Sequence, residues 1–318
     1  MKIVIPGGSG QVGTMLGWAL TGEGHEVVEL SRDSKRQRPW RVERWDGRKF
    51  GSWTYEIDGA DAVINLAGRT VNCRYDTQNR REIMQSRIDS TRIVGKAIAQ
   101  AKRPPRVWLQ ASTATIYAHR YDAANDEATG ILGGSEPGVP ETWKFSIDVA
   151  KAWEEAALEA EPPKETRLVL MRSAITLSPD RGGVFDTLLK LVRMGLGGTM
   201  GDGRQYVSWI HEGDFVSAIH WILEHEELSG PVNLASPEPV PNEEFMHELR
   251  EAWGQKFGLP ASRWMLEMGA GVMGTETELI LKSRRVVPGK LLGSGFEFEF
   301  PHWADAAREL CDWRRRKG

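Results

Sequence analysis

The stretch KIVIPGGSGQVGTMLGWAL, residues 2–20, constrains the fold of this chain more than any other. An apolar run meets Gly7, Gly10 and Gly13, spaced by threes, and a helical pattern begins at once. A strand that turns straight into a helix needs glycine for three reasons. The turn is tight, the backbone must approach a bound pyrophosphate, and the helix must press onto the sheet. The free N–H groups and dipole at the helix start then face the anion. Ser9, Gln11 and Val12 complete this predicted cradle. A phosphate loop of the GxxxxGK[ST] kind is excluded, because Thr14 and Met15 follow Gly13 where Lys-Ser/Thr would be required. A glycine turn serving packing alone is the competing reading. Pro6 is tolerable at a strand end, where its missing N–H is spared.

The first half of the chain repeats this rhythm. Unbroken apolar runs at 2–6, 26–31, 62–66, 107–111 and 167–172 read as strands buried on both faces. Helical patterns fill about 12–22, 78–101 and 142–159, so the units are βαβ and the sheet is parallel. Beyond about residue 178 the pattern changes. GGVFDTLLKLVRMGLGG reads as a helix between glycines, and 205–225 as a strand, a break and an amphipathic helix. A strand and a helix follow, with Asn242 as the expected N-cap. GFEFEF, residues 295–300, alternates as a strand would, and a short helix starts near Trp303. The predicted class is α/β: a Rossmann-type doubly wound parallel sheet with a smaller C-terminal α/β domain on the substrate side. The expected division is 1–178, with help from about 205–235, and 179–318.

Composition narrows the partners. A net charge of −3 gives no electrostatic reason to expect nucleic acid. The basic tail 313–318 reads as a helix end in solvent. Two cysteines make no disulfide framework, and none of the seven histidines stands beside a carboxylate at metal spacing. No metal site is expected. No run of about 18 apolar residues is present and no leader is legible, so the expectation is a cytoplasmic protein without a membrane partner. The thirteen tryptophans follow no repeat and read as core. Oligomeric state is not legible.

The second strand decides the dinucleotide. A carboxylate at its end, roughly 20 residues past the glycines, would hold the ribose hydroxyls of NAD. VVELSRDSKR instead offers Ser31 and Arg32, which suit a 2′-phosphate, so NADP(H) is the expected cofactor. Asp33 keeps NAD as the lesser alternative, and Lys35 and Arg36 read equally well as solvated charge.

Several further blocks agree with the cradle. DAVINLAG (61–68) brings Leu66, Ala67 and Gly68 to the cofactor, and QASTATIYA (110–118) is similar to the fifth-strand end of extended short-chain dehydrogenases/reductases. VLMRSAITLS (169–178) and VSWIHEGDF (207–215) resemble later segments of the same enzymes. With SRIDSTRIVGKAI, FSIDVAKAWE and the closing RRVVPGKLLGSGFEFEFP, the chain resembles the atypical short-chain dehydrogenase/reductases called NAD-dependent epimerase-like proteins, which carry a C-terminal domain of unknown function.

That resemblance implies an NADP(H)-binding Rossmann fold, and it also exposes a departure. The superfamily's Tyr-x-x-x-Lys pair supplies the general acid and holds the ribose. Here the Tyr position falls on Ser146 and the Lys position on Ala150, while Lys151 lies about 100° round the helix. The resemblance implies Ser112 as the retained hydroxyl for a substrate carbonyl, with Tyr117 as the nearest phenol. Finishing a strand and packing are the alternatives for these two. Arg87 replaces an upstream asparagine and is expected at the cofactor phosphate or ribose, or else in a helix ion pair. Ala111, Arg172 and Ser173 are expected near the nicotinamide end. His211 is expected on the substrate side, with capping of the next helix as its other role. Three functions fit: an NADP(H)-dependent oxidoreductase on a small carbonyl, a nucleotide-sugar epimerase, or a non-catalytic NADPH sensor. No residue of the C-terminal part reads as chemically diagnostic.

Overall fold

Alternate residues of the first strand go to opposite cores, which is what doubly winds the sheet. The structure is a computed structural model that describes residues 1–33, 35–274 and 276–317. The final Gly318 of the basic tail lies outside them. In β1 (Lys2–Pro6), Ile3 and Ile5 face one hydrophobic cluster while Val4 faces another. The chain continues through α1 (Gln11–Gly22), β2 (Glu26–Ser31), β3 (Arg41–Arg44), α2 (Thr54–Ile57), β4 (Ala62–Asn65), α3 (Thr77–Gln100) and β5 (Val107–Thr113). Then come α4 (Glu141–Leu158), β6 (Arg167–Ser173), β7 (Ile175–Leu177), α5 (Val184–Arg193), β8 (Tyr206–Val207), β9 (Trp209–His211), α6 (Glu212–Glu224) and β10 (Gly230–Leu234). The remainder is β11 (Val240–Pro241), α7 (Asn242–Trp253), α8 (Arg263–Met273), α9 (Glu278–Leu281), α10 (Gly289–Gly293) and α11 (Trp303–Lys317).

Seven parallel strands pair in the order β10-β6-β5-β4-β1-β2-β3. This is the expected Rossmann-type fold. One face is covered by α1 and α6, whose Leu16, Leu20, Phe215 and Ile219 are buried against Ile3, Ile5 and Leu109. The other is covered by α3 and α4, through Ile93, Val94, Ile98 and Ala157 against Val4, Val28 and Trp108. Burying such side chains contributes about 1.5–3 kcal/mol each. The strand order reverses between β1 and β4, so their carboxyl ends open a crevice there, as doubly wound sheets do. A third cluster unites α5, β9, α7 and α11 around Trp209, Phe245 and Trp303. No helix among the described residues is long and apolar enough to cross a membrane.

Two local readings are corrected and one strand is added. GFEFEF forms no strand and pairs with none among the described residues. Its Phe296 and Phe298 pack on the main core, and the N–H groups of Glu299 and Phe300 donate to the buried Asp214 carboxylate at 2.8 and 3.0 Å. Side-chain acceptors thus take the place of a neighbouring strand. Asn242 begins α7 rather than capping it; its Oδ1 accepts from the Met200 N–H at 2.8 Å, and Pro241 holds the cap position. The edge strand β3 was not read from the sequence, because RVER has neither an apolar run nor alternation.

Candidate active site

The cradle is built from close backbone approaches. Gly7 has φ +76°, and a Cβ there would lie 2.6 Å from the Ala67 Cα. A Cβ on Gly13 would lie 2.5 Å from the Gly8 Cα, so the helix packs on the turn itself. Gly10 caps α1 with no side chain, and the first turn of α1 carries no acid. The helix N-terminus therefore keeps its free donors and positive end. It opens on a cavity of about 440 Å³ lined by Gly7, Ser9, Gly10, Ser31, Arg32, Leu66, Ala67 and Gly68. Gln11 begins the helix, Val12 packs into the core behind it, and Gly13 sits beneath the turn. Arg32 has no hydrogen-bond or ion-pair partner among the described residues. The Ser31 hydroxyl accepts from the Asp33 N–H at 3.2 Å.

The sequence missed one wall of this cavity. Asp46, Gly47 and Arg48 enter it from the turn after β3. Asp46 accepts from the Lys49 and Arg48 N–H groups at 2.8 Å each, and those bonds hold its carboxyl below the usual range. Arg48 stands 3.3 Å from Asp89. The Asp-Gly pair in WDGRKF was the available turn signal. Asp33 does not line the cavity; it accepts from the Lys35 N–H in its own turn.

Most residues expected at the chemistry are enclosed elsewhere. The Ser112 hydroxyl donates to Glu154 Oε1 at 2.6 Å and is buried. Tyr117 is 2% exposed. Its phenol donates to Asn233 Oδ1 at 2.9 Å and accepts from Arg172 Nη1 at 3.0 Å. Arg172 in turn pairs with Glu154 at 2.7 Å, Ser173 bonds the Met171 carbonyl, and Ala111 packs on the core. This is an internal polar network, and none of these five side chains lines either cavity described here. His211 is likewise corrected from the substrate side. Its Nδ1 accepts from the Gly213 N–H at 3.0 Å, capping α6, and its Nε2 meets Glu309 on α11 at 3.1 Å. Folding also brings His220 to Glu23 and His25, while His247 stands with Glu248 and Glu251 on α7 at a one-turn spacing already present in the sequence and overlooked there. Both groups lie away from the two cavities.

Ser112 is held by Glu154 on α4, and the next residue, Thr113, is the β5 hydroxyl that lines a second cavity of about 120 Å³. Apolar Val71, Ile83, Phe145, Val149, Trp153 and Leu279 line it, with Tyr75, Arg87, Thr115, Ser146 and Glu278 as polar groups. Ser146, at the superfamily's tyrosine position, does face this cavity, while Ala150 is sealed in the core. Lys151 points away and bonds the Gly133 carbonyl at 2.6 Å.

What occupies the missing pair's surroundings comes from other parts of the chain. Ser146 donates to Glu278 Oε2 from α9. Burial pushes the Glu278 carboxyl above its usual range, against the pull of Arg284, whose Nη2 lies 3.3 Å from Oε1. Lys282, buried one turn on, donates to the Thr115 carbonyl at 2.6 Å; burial, reinforced by Arg284, brings its pKa down to about 7. Burial raises the pKa of the Tyr75 phenol, as does the Glu278 charge, while the Ser146 hydroxyl in the same cavity works the other way. The C-terminal part therefore brings titratable groups to this cavity, where the sequence showed none.

Arg87 stands between the cavities. It lines the smaller one, and a Cβ on Gly68 of the larger would come within 3.3 Å of its Cγ and Cζ. Its Nη1 donates to the Arg69 and Ile83 carbonyls at 3.0 and 3.1 Å, and its guanidinium lies 4.8 Å from the Trp153 ring centre.

Comparison with known proteins agrees with this architecture. The NAD dependent epimerase/dehydratase family matches residues 3–235, and a domain of unknown function, DUF1731, matches residues 261–310. The human epimerase family protein SDR39U1 is 30% identical over 314 residues, 98% of this chain and 99% of that one. A crystal structure of the human protein with NADPH superposes with a TM-score of 0.84 at 29% identity, over 98% of this chain and 99% of that chain. A nucleoside-diphosphate sugar epimerase from Corynebacterium glutamicum gives a TM-score of 0.75 at 25% identity, over 98% of this chain but 58% of that one. The glycine cradle, the parallel sheet and these matches over most of its length place the chain in the NAD dependent epimerase/dehydratase family.

Proposed function

We propose that this protein is an NADP(H)-dependent oxidoreductase acting on a small carbonyl compound. The observation that carries the reading is the second cavity, where Thr113, Tyr75 and the Ser146–Glu278 pair meet beside the dinucleotide cradle. The cradle fits the cofactor. Its free helix N-terminus suits a pyrophosphate, and Arg32, which has no partner among the described residues, suits a 2′-phosphate beside Ser31. NADPH in the human relative supports the same choice over NAD. When bound, the cofactor supplies or accepts a hydride.

The chain's own residues handle the oxygen and the proton. The Thr113 hydroxyl already accepts from the Thr115 N–H at 3.2 Å, which leaves its proton to donate to a substrate carbonyl oxygen. Tyr75, kept protonated by burial, gives its phenolic proton to the same oxygen as it becomes an alcohol. Ser146 relays a replacement proton to Tyr75, and Glu278 exchanges one with Ser146. The apolar walls exclude water and hold the substrate in contact.

Cavity size argues against a nucleotide sugar, since sites for drug-sized ligands run to about 300–1,000 Å³ and this one is about 120 Å³. The test is to load the protein with NADPH and follow its oxidation with short aldehydes, ketones and enones, alongside UDP-sugars. Turnover confined to small carbonyls, lost by at least 100-fold in Glu278→Gln, is the expected result. Epimerisation of a UDP-sugar without net oxidation overturns the reading. Tight NADPH binding with no turnover on any carbonyl leaves a sensor instead.

A further inference from the structure

We infer that the small cavity takes a short carbonyl compound bearing a carboxylate, and that Arg87 is the group that binds it. This rests on the oxidoreductase reading for the carbonyl and on independent geometry for the acid. Among the described residues Arg87 has no carboxylate partner; only its Nη1 is engaged, with two backbone carbonyls. The neighbouring acid, Glu278, is already taken by Ser146 and Arg284. The cavity therefore carries one uncompensated positive charge. Its Nη2 and Nε remain for a ligand, and a planar guanidinium with two free donor groups matches a carboxylate in a bidentate geometry. Gly68 and Trp153 fix that plane, the first by leaving room behind the guanidinium and the second by lying against its face. Burial draws the guanidinium down to about 10, so it stays charged at neutral pH while its charge is poorly solvated. A ligand carboxylate relieves that cost. The cavity of about 120 Å³ is small beside the roughly 300–1,000 Å³ of drug-sized sites, and with a carbonyl at Thr113 and a carboxylate at Arg87 it points to short oxo-acids.

A phosphate of the dinucleotide is the other anion within this guanidinium's surroundings, since Gly68 borders the larger cavity. The experiment separates the two sources. Protein saturated with NADP⁺ is titrated with oxamate and with acetate, and in parallel with the isosteric neutral oxamide and acetamide, reading the fluorescence of Trp153 against a Trp153→Phe control. The acids are expected to bind at least tenfold more tightly than the amides. Arg87→Lys should weaken the acids about tenfold, and Arg87→Gln should erase the preference, with NADPH affinity held within threefold in both. Equal binding of acids and amides by the wild-type protein, or no acid binding at all, overturns the inference without needing any variant. It is equally overturned if Arg87→Lys lowers NADPH affinity tenfold while keeping the acid preference. Failure of the oxidoreductase reading is a separate outcome, read as absence of NADPH oxidation while the acid preference persists.

Discussion

Ser112 and Thr113 differ by one position and by what each one meets. The resemblance located the right strand end, but which hydroxyl reaches the cavity was settled only by folding. Glu154, itself paired with Arg172, holds Ser112, so the hydroxyl at the cavity is threonine. Tyr117 shows the same limit, since its loop was legible and its burial was not. Tyr117→Phe is predicted to cost about 1–3 kcal/mol of stability, because Asn233 and Arg172 each lose a buried partner, while NADPH affinity is unchanged. Urea unfolding and cofactor titration of the same sample check both halves. Lys282 gives a pH signature. Folding lowers its pKa to about 7 from about 10.4 in the unfolded chain. Between those values the unfolded chain holds the proton and the folded one does not, so stability gains with rising pH. Relative to Lys282→Met, the wild-type protein should become steadily more stable from about pH 7 to about pH 10, and the difference should be flat below pH 7. A difference that shrinks or stays level across that window would remove Lys282 from the buried network.

At the scale of elements, the opening strand, turn and helix were legible because three constraints coincide there. An apolar run sets the strand, period 3.6 sets the helix, and only glycine survives the contact between them. Gly13→Ala would place a methyl 2.5 Å from backbone, so it is predicted to destabilise the fold by about 1–3 kcal/mol and to weaken NADPH binding at least tenfold. Thermal melts with and without NADPH measure both, and a variant with unchanged affinity would show that the helix does not need this seat. β3 and the segment after it were not legible, for an edge strand of charged residues carries no periodic signal. Its turn nevertheless brings Arg48 to the cavity. Combined Arg32→Ala and Arg48→Ala changes should cut the preference for NADPH over NADH by at least 100-fold, a ratio read from two binding isotherms. GFEFEF failed in the opposite sense, as period 2 reports alternating burial and not the identity of the hydrogen-bond acceptors.

Over the whole molecule, the sheet places the cofactor crevice, and in the proposed mechanism the later segments take the part that the Tyr-x-x-x-Lys pair plays in the superfamily. Glu278, Lys282 and Arg284 are far from the cradle in sequence, and the short helix that carries Glu278 gave no motif. Only folding brings that carboxyl onto Ser146. His211 and Glu309 show the other use of the same end of the chain, a structural tie between the helix after β9 and α11. The proposed mechanism divides between Tyr75, Ser146 and Glu278 the chemistry that the superfamily holds on one helix. Its most direct test compares two phenols in one assay, the oxidation of NADPH by a short carbonyl compound. Tyr75→Phe should lower kcat at least 100-fold with NADPH affinity within threefold of wild type, and Tyr117→Phe should leave kcat within threefold. Full activity in Tyr75→Phe, or a loss confined to Tyr117→Phe, would contradict it.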